Sequence, residues 1–205
     1  MSDSVSARSI SYSDYLDFFA LSAEDQSARI LDFLGGFSDF NQRISNSGGN
    51  VISLDPIYSI SQERLLEMLR HHHSFGMDNS TNEDSLNERV REFCNRDRYL
   101  PLESLPLPFT DYQFDLALVN VTAINEIMGH QLSLLTLLKE LLRVSKEVRV
   151  FPLLDNTHLV ADWGNVMYYL QEHHFGQELK VINRNDEESD RTMLRIWAMA
   201  CDVAV

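Results

Sequence analysis

The stretch that decides the fold is residues 28–56, ARILDFLGGFSDFNQRISNSGGNVISLDP. The apolar run 29–34 predicts a buried strand, Gly35 and Gly36 end it, and a second apolar run follows at 51–54. A short helix at 39–45 between the two runs would complete a βαβ unit. In such units a nucleotide-like ligand lies across the carboxyl ends of the neighbouring parallel strands. The stretch therefore predicts an α/β fold with a ligand site at that edge of the sheet.

The rest of the chain continues the same alternation of helices and strands. Further strands are predicted at 98–102, 114–119, 148–154, 179–182 and 193–200. Helices are predicted at 12–19, 61–73, 85–95, 131–144 and 159–173, with Ser59 and Gln62 as a capping box and 77–84 as a loop. The last two strands have no helix between them and should form an antiparallel hairpin at one edge. We predict a flexible N-terminus (1–11) and one domain (12–205) with a mostly parallel, three-layer Rossmann-like sheet.

The composition argues against several classes of main partner, without excluding a local basic patch. Seventeen basic against 31 acidic side chains give a net charge of −14, which argues against binding to nucleic acid or to anionic membrane surfaces. A solvated surface is the simplest explanation of this acidity. Cys94 and Cys201 form no CxxC motif, and the N-terminus has no apolar signal-peptide core. We therefore expect reduced thiols, no structural zinc, no membrane insertion and a cytoplasmic location.

Three segments in order carry a family resemblance. They are ILDFLGGFSDF followed by VISLDPIYS, then LPLPFTDYQFDLALV, then LLRVSKEVRVFPLL. Together they resemble the class I S-adenosylmethionine-dependent methyltransferases, over about residues 12–200. DPIYS, SKEVRVFPLLD and MLRI are also similar to a bacterial methyltransferase-like group of uncertain substrate. The resemblance implies a Rossmann-like methyltransferase fold, S-adenosylmethionine as cofactor, and a small-molecule or protein methyl acceptor.

The resemblance also implies which residues would bind the cofactor. Asp55 occupies the position of the acid that binds the ribose hydroxyls, although a turn or capping aspartate beside Pro56 is the structural alternative. Asp32 would orient the glycine loop or bind the cofactor's amine, or else bind backbone amides as a buried strand-end acid. Asn120, at the end of the strand 114–119, would face the methyl-transfer centre. The implied cofactor-binding set is Asp32, Gly35, Gly36, Asp55, Pro56 and Asn120.

Two departures from the family pattern bear on activity. The family's GxGxG loop keeps only its middle glycine here, Gly36, because Leu34 and Ser38 occupy the outer positions. The bulky Leu34 and Phe37 could narrow the cofactor slot. VNVTAIN, residues 119–125, replaces the Cys-Ser-His-like stretch of the bacterial group, so no catalytic residue is assigned.

Other motifs point to no alternative chemistry. His71, His72 and His73 are consecutive on a predicted helix, so their side chains diverge and a shared metal is not expected. His130 is a surface residue near a helix cap or, as a hypothesis, a general base. No GxSxG, Walker or GxGxxG motif is present, which counts against hydrolases, nucleotide triphosphatases and NAD enzymes.

Two functional hypotheses follow from these observations. The first is an S-adenosylmethionine-dependent methyltransferase with an unidentified acceptor. The second is a catalytically inactive methyltransferase fold, a pseudoenzyme, that acts through protein-protein interaction as an adaptor in a complex. The second hypothesis is favoured by the degenerate glycine loop, the altered end of the strand 114–119, the short connection between the second and third strands, and the strong acidity.

Overall fold

The computed structural model describes residues 10–73, 83–121, 124, 133–153, 163–182 and 191–199. Its helices are α1 (Tyr12–Phe18), α2 (Phe40–Asn46), α3 (Gln62–His73), α4 (Glu83–Phe93), α5 (Leu134–Val144) and α6 (Trp163–Glu172). Its strands are β1 (Arg29–Phe33), β2 (Asn50–Leu54), β3 (Tyr99–Leu100), β4 (Phe114–Asn120), β5 (Ser145–Phe151), β6 (Phe175–Ile182) and β7 (Arg191–Ala198).

The seven strands form one sheet in the order β3-β2-β1-β4-β5-β7-β6. The pairs among β1 to β5 are parallel, and β7 runs antiparallel to both β5 and β6. The antiparallel hairpin lies at the β6 edge. This arrangement confirms the predicted α/β fold class, a mostly parallel Rossmann-like sheet with a C-terminal antiparallel hairpin.

Helices cover both faces of the sheet. Successive side chains of each central strand point to opposite faces, and since most of them are apolar, both faces have to be buried. Ile30 of β1 packs with α1 and α2 in one apolar cluster, whereas Leu31 packs with α5 and α6 in another. A third cluster joins α3 and α4 to Phe37, Tyr58 and Tyr99. No helix among the described residues is both long enough and apolar enough to span a bilayer.

Local backbone chemistry explains where some elements differ from prediction. β1 ends at Phe33 rather than at 34, because Leu34 has a positive φ of 62°. The predicted capping box at Ser59 is wrong. Ser61 precedes α3, and its Oγ accepts from the Arg64 amide at 3.3 Å, while the Ser59 hydroxyl instead donates to the Pro56 carbonyl at 2.7 Å.

Other boundaries shift by a few residues. The third strand is only Tyr99–Leu100, and α4 begins at Glu83, inside the predicted loop 77–84. The rest of that loop, residues 74–82, lies outside the described part of the chain. Residues 1–9 also lie outside it, so the predicted domain limits stay a prediction.

Candidate cofactor site at the carboxyl ends of β1 and β2

Two buried carboxylates lie side by side where β1 and β2 end. β1 and β2 are parallel neighbours, and their register pairs Asp32 with Ser53 and Phe33 with Leu54, so Asp55 is the residue that follows β2. Asp32 is 2% exposed and Asp55 is 0% exposed. The sheet therefore brings together the two acids that the sequence singled out.

Asp32 is held by two hydroxyl groups. Its Oδ1 accepts from the Tyr15 hydroxyl at 3.0 Å, and its Oδ2 accepts from the Ser53 hydroxyl at 2.7 Å. Gly35 passes directly over the carboxylate, because a Cβ at that position would lie 2.1 Å from the Asp32 Oδ2. Asp32 thus connects α1 to the sheet through Tyr15 and contacts the glycine loop at Gly35.

Asp55 is held by two backbone amides. Its Oδ1 accepts from the Ile57 amide at 2.9 Å, which caps the 3-10 turn Pro56–Ser59. Its Oδ2 accepts from the Gly36 amide at 3.0 Å. Pro56 stands at the first position of that turn, where its missing N–H leaves no donor unsatisfied. The Asp55 side chain therefore joins the glycine loop to the turn after β2.

The glycine loop adopts a conformation that sends its bulky side chains into the core. Leu34 and Gly36 have positive φ angles of 62° and 55°. The Leu34 side chain, 3% exposed, packs in the cluster of α5 and α6, and Phe37, 2% exposed, packs against α3 and α4. Both bulky side chains of the loop are therefore part of the core, and their predicted effect on a cofactor slot stays a prediction.

Side chains from two other elements hold the loop's carbonyl groups. The Tyr58 hydroxyl donates to the Gly36 carbonyl at 2.8 Å, and the Arg89 guanidinium of α4 donates to the Phe37 carbonyl. The Phe93 ring contacts both the Phe37 and Tyr58 rings, with centroids 5.7 Å and 5.8 Å away. The loop is consequently clamped on its amide side by Asp55 and on its carbonyl side by Tyr58 and Arg89.

Burial controls the protonation of the site. Loss of hydration raises the pKa of Asp32 to about 6, against the opposing effect of the Ser53 and Tyr15 hydrogen bonds. Burial likewise raises the pKa of Asp55 to about 6, against its hydrogen bonds from Ile57 and Gly36. The pKa of the Tyr58 hydroxyl is raised by burial and by the nearby carboxylates. Tyr58 therefore stays a neutral donor at neutral pH.

Asn120 ends β4, which is the other strand next to β1. The register pairs Phe33 with Val119, so Asn120 lies at the same edge as the glycine loop. It is partly exposed, whereas Val121 and Ile124 after it are buried. The other residues of the VNVTAIN stretch beyond Val121, and also His130, lie outside the described part of the chain.

A small cleft lies behind the loop, between α2 and α4. Its lining residues are Ser38, Gln42, Arg89, Glu92, Phe93 and Tyr99, and it has essentially no room for even a water-sized molecule. Neither Asp32 nor Asp55 lines it, so it is a feature of the α4 packing and not part of the candidate site.

His71 and Cys94 are the next candidates for a reactive centre among the described residues. His71 is exposed on α3, and the described residues contain no group of three His, Cys, Asp or Glu side chains able to share a metal ion. Cys94 is a free thiol. The chemistry of the described chain is concentrated at the β1 and β2 edge.

Sequence reasoning missed the residues that hold Asp32 and the glycine loop. Tyr15 looked like an apolar member of α1, and Arg89 gave no signal because α4 and the loop are distant in the chain. Ser53 carried a usable signal. It is a polar residue in an otherwise apolar strand, and the βαβ register places it opposite Asp32.

Comparisons with known proteins give distant likenesses. No protein-family model matches the chain. An uncharacterized protein of Methanocaldococcus jannaschii is 27% identical over 168 residues, covering 70% of this chain and 76% of the archaeal protein.

Solved structures with a similar fold share little sequence with the chain. A protein from Pyrococcus horikoshii superposes with a TM-score of 0.48 at 12% identity, over 92% of this chain and 91% of that one. A SAM dependent methyltransferase from Aquifex aeolicus gives 0.46 at 15% identity, over 89% and 90%. WbdD, a bifunctional kinase-methyltransferase, gives 0.47 at 14% identity, over 83% of this chain but only 35% of WbdD. The chain thus spans about a third of WbdD, and its activity has to be argued from the site.

Proposed function

We propose that this protein binds S-adenosylmethionine and is a methyltransferase for a small-molecule or protein acceptor. The observation that carries the proposal is the meeting of Asp32, the Gly35-Gly36 loop and Asp55 at the carboxyl ends of β1 and β2. In a Rossmann-like sheet this edge is where a nucleoside ligand lies. The motifs DPIYS, SKEVRVFPLLD and MLRI further support a place near the bacterial methyltransferase-like group.

Asp55 is the residue proposed to bind the ribose. A carboxylate oxygen has two lone pairs, and each Asp55 oxygen uses one for a backbone amide, so each can still accept from a ribose hydroxyl. Because Asp55 is 0% exposed, the Gly36 amide has to move away before a ribose can reach it. Binding therefore requires the glycine loop to open.

The cofactor supplies an electrophilic methyl group on a sulfonium. What the chain has to supply is position, since displacement at such a methyl depends mainly on aligning the acceptor. Asn120 lies at the correct edge for that role and is the proposed polar group beside the transfer centre. Pro56 begins the turn that Asp55 caps, and Gly35 lets the backbone pass close to the Asp32 carboxylate.

A second function, a catalytically inactive adaptor within a protein complex, is favoured by one specific observation. Both Asp55 oxygens are occupied by backbone amides and the side chain is fully buried, as expected for a purely structural acid. In that case the loop stays closed and no cofactor binds. For either function we propose a cytoplasmic protein with a reduced Cys94.

Isothermal titration separates the two functions. We expect S-adenosylmethionine and S-adenosylhomocysteine to release heat on binding the wild type, and Asp55→Ala to weaken binding by roughly tenfold or more, because one charged acceptor is lost. Asp115→Ala is the matched control, since Asp115 pairs with Arg29 and Lys146 away from the site.

Two results would be decisive. No binding by the wild type would favour the adaptor. Equal binding by wild type and Asp55→Ala would show that the cofactor binds elsewhere. Thermal melts of both variants establish that the proteins used in the titrations are folded.

A further inference from the structure

The outer edge of β6 is an exposed strand edge. The sheet order ends with β6, which among the described residues pairs only with β7. It is eight residues long, Phe175–Ile182, and its five central residues, 177–181, are all exposed. Such an edge presents unpaired N–H and C=O groups that can pair with another strand.

The sequence of this edge is complementary to itself. In an antiparallel pair of two β6 strands centred on Leu179, Glu178 of one copy lies directly opposite Lys180 of the other, and the reverse pair forms by symmetry. Opposite charges at directly opposed positions stabilise a strand pair. Centring the pair on Leu179 therefore produces two attractive pairs and no repulsive one at these positions.

The other face of β6 supplies an apolar contact. Leu179 and Val181 alternate with the charged residues and so share one face, where they are 59% and 53% exposed. In the same register Leu179 opposes its own copy, and Val181 lies diagonal to it. Two-fold pairing would cover both side chains, which are otherwise large hydrophobic groups exposed at an edge.

We propose that two copies of this chain associate through β6, antiparallel about a two-fold axis at Leu179, so that the two sheets become continuous. The interface is isologous, as a two-fold dimer requires. The occupant is a second copy because charge order, apolar face and register all match under that one symmetry operation. The proposal does not depend on cofactor binding, because β6 is at the far end of the sheet from β2.

Charge reversal tests this interface by sedimentation equilibrium over a range of protein concentrations. Lys180→Glu places two like-charged pairs across the interface, and Glu178→Lys does the same with opposite sign. We expect each single variant to dimerise roughly tenfold or more weakly than wild type. An equimolar mixture of the two variants restores opposite charges at both pairs, so it should form a heterodimer of near wild-type affinity.

The controls concern charge and folding. Glu103→Lys reverses an exposed charge away from β6 and should leave dimerisation unchanged. Glu178 lies 3.5 Å from Arg195, which also pairs with Glu147, so Glu178→Lys leaves Arg195 one partner and should melt close to wild type. A wild type that is monomeric throughout, or a dimer insensitive to both reversals, would overturn the proposal, as would a mixture no tighter than its components.

Discussion

Two carboxylates buried at one sheet edge dominate the candidate site at the scale of single residues. Asp32 and Asp55 have their hydrogen bonds from different sources, side-chain hydroxyls for one and backbone amides for the other. Burial of a charged carboxylate is costly, and donated hydrogen bonds offset part of that cost. Asp32 thus supports the glycine loop at Gly35, and Asp55 joins Gly36 of the loop to the turn after β2.

The raised pKa of Asp32 predicts a specific pH dependence of stability. Between pH 4 and 6 the folded state binds this proton more tightly than the unfolded state, so the free energy of unfolding falls as pH rises and stays lower above pH 6. Asp32→Asn removes this pH-dependent contribution and keeps a side-chain oxygen that can accept from the Tyr15 hydroxyl. We expect the free energy of unfolding of the variant, relative to that of wild type, to rise by about 1–3 kcal/mol from pH 4.5 to pH 7.5, as measured by urea unfolding.

A control with the opposite sign is available in Asp115. Hydrogen bonds from Arg29 and Lys146 lower the pKa of its carboxyl below the ordinary value, so its contribution is present at neutral pH and disappears as pH falls. Asp115→Asn should lose less than about 1 kcal/mol at pH 7.5, because the pair is partly exposed. An effect of Asp32→Asn on the free energy of unfolding that is the same at pH 7.5 and pH 4.5 would contradict the prediction that the charged form of Asp32 destabilises the folded state.

The sequence indicates the two acids but not what they touch. Asp32 and Asp55 are readable because Asp32 is the acid within the first apolar run and Asp55 directly follows the second, so strand direction fixes their edge. Tyr15 and Arg89 are not readable, because their contacts depend on how α1 and α4 pack against the sheet. Tertiary packing, rather than local spacing, determines those partners.

At the scale of elements, the glycine loop depends on the 3-10 turn after β2 and on α4. Tyr58→Phe removes the hydroxyl that donates to the Gly36 carbonyl and keeps the ring contacts with Phe93 and Tyr99. We expect amide hydrogens in residues 35–38 to exchange up to about tenfold faster, with little change in Tm, because one hydrogen bond is lost locally.

Amide hydrogen exchange, measured by mass spectrometry, tests the contribution of Tyr58 to holding the glycine loop and needs no ligand. Tyr112→Phe, at a side chain 53% exposed, is the matched loss of a hydroxyl and should leave the loop unchanged. Unaltered exchange in Tyr58→Phe would mean that Asp55 and Arg89 hold the loop without help from Tyr58.

Element types are predictable where apolar spacing is strong. β1, β2, β4 and α5 follow from their apolar runs, and the run in α5 gives it a wide buried face. β3 is only Tyr99–Leu100 because its pairing with β2 is limited to Ser53 and Leu54. The cap of α3 is not predictable from composition, because Ser59 and Ser61 are both suitable residues. The 3-10 turn engages the Ser59 hydroxyl, which leaves Ser61 to cap the helix.

At the scale of the whole molecule, the strand order places the two proposed surfaces apart. The proposed cofactor site is at β1 and β2, and the self-complementary edge is β6, across β4, β5 and β7. Sequence reasoning reached this sheet because strands and helices alternate and the last two strands lack a helix between them. It could not reach the closed state of the loop, since that depends on Asp55 meeting Gly36 across two strands.

The most direct test of the central claim is an amide NMR titration of the wild type with S-adenosylhomocysteine. The Gly36 and Ile57 amides both donate to Asp55, so binding of a ribose there should shift both resonances strongly while those of β6 residues 177–181 stay in place. Saturable shifts centred on Gly36 and Ile57 would support the proposed site. Resonances of Gly36 and Ile57 that do not move at saturating ligand would contradict it.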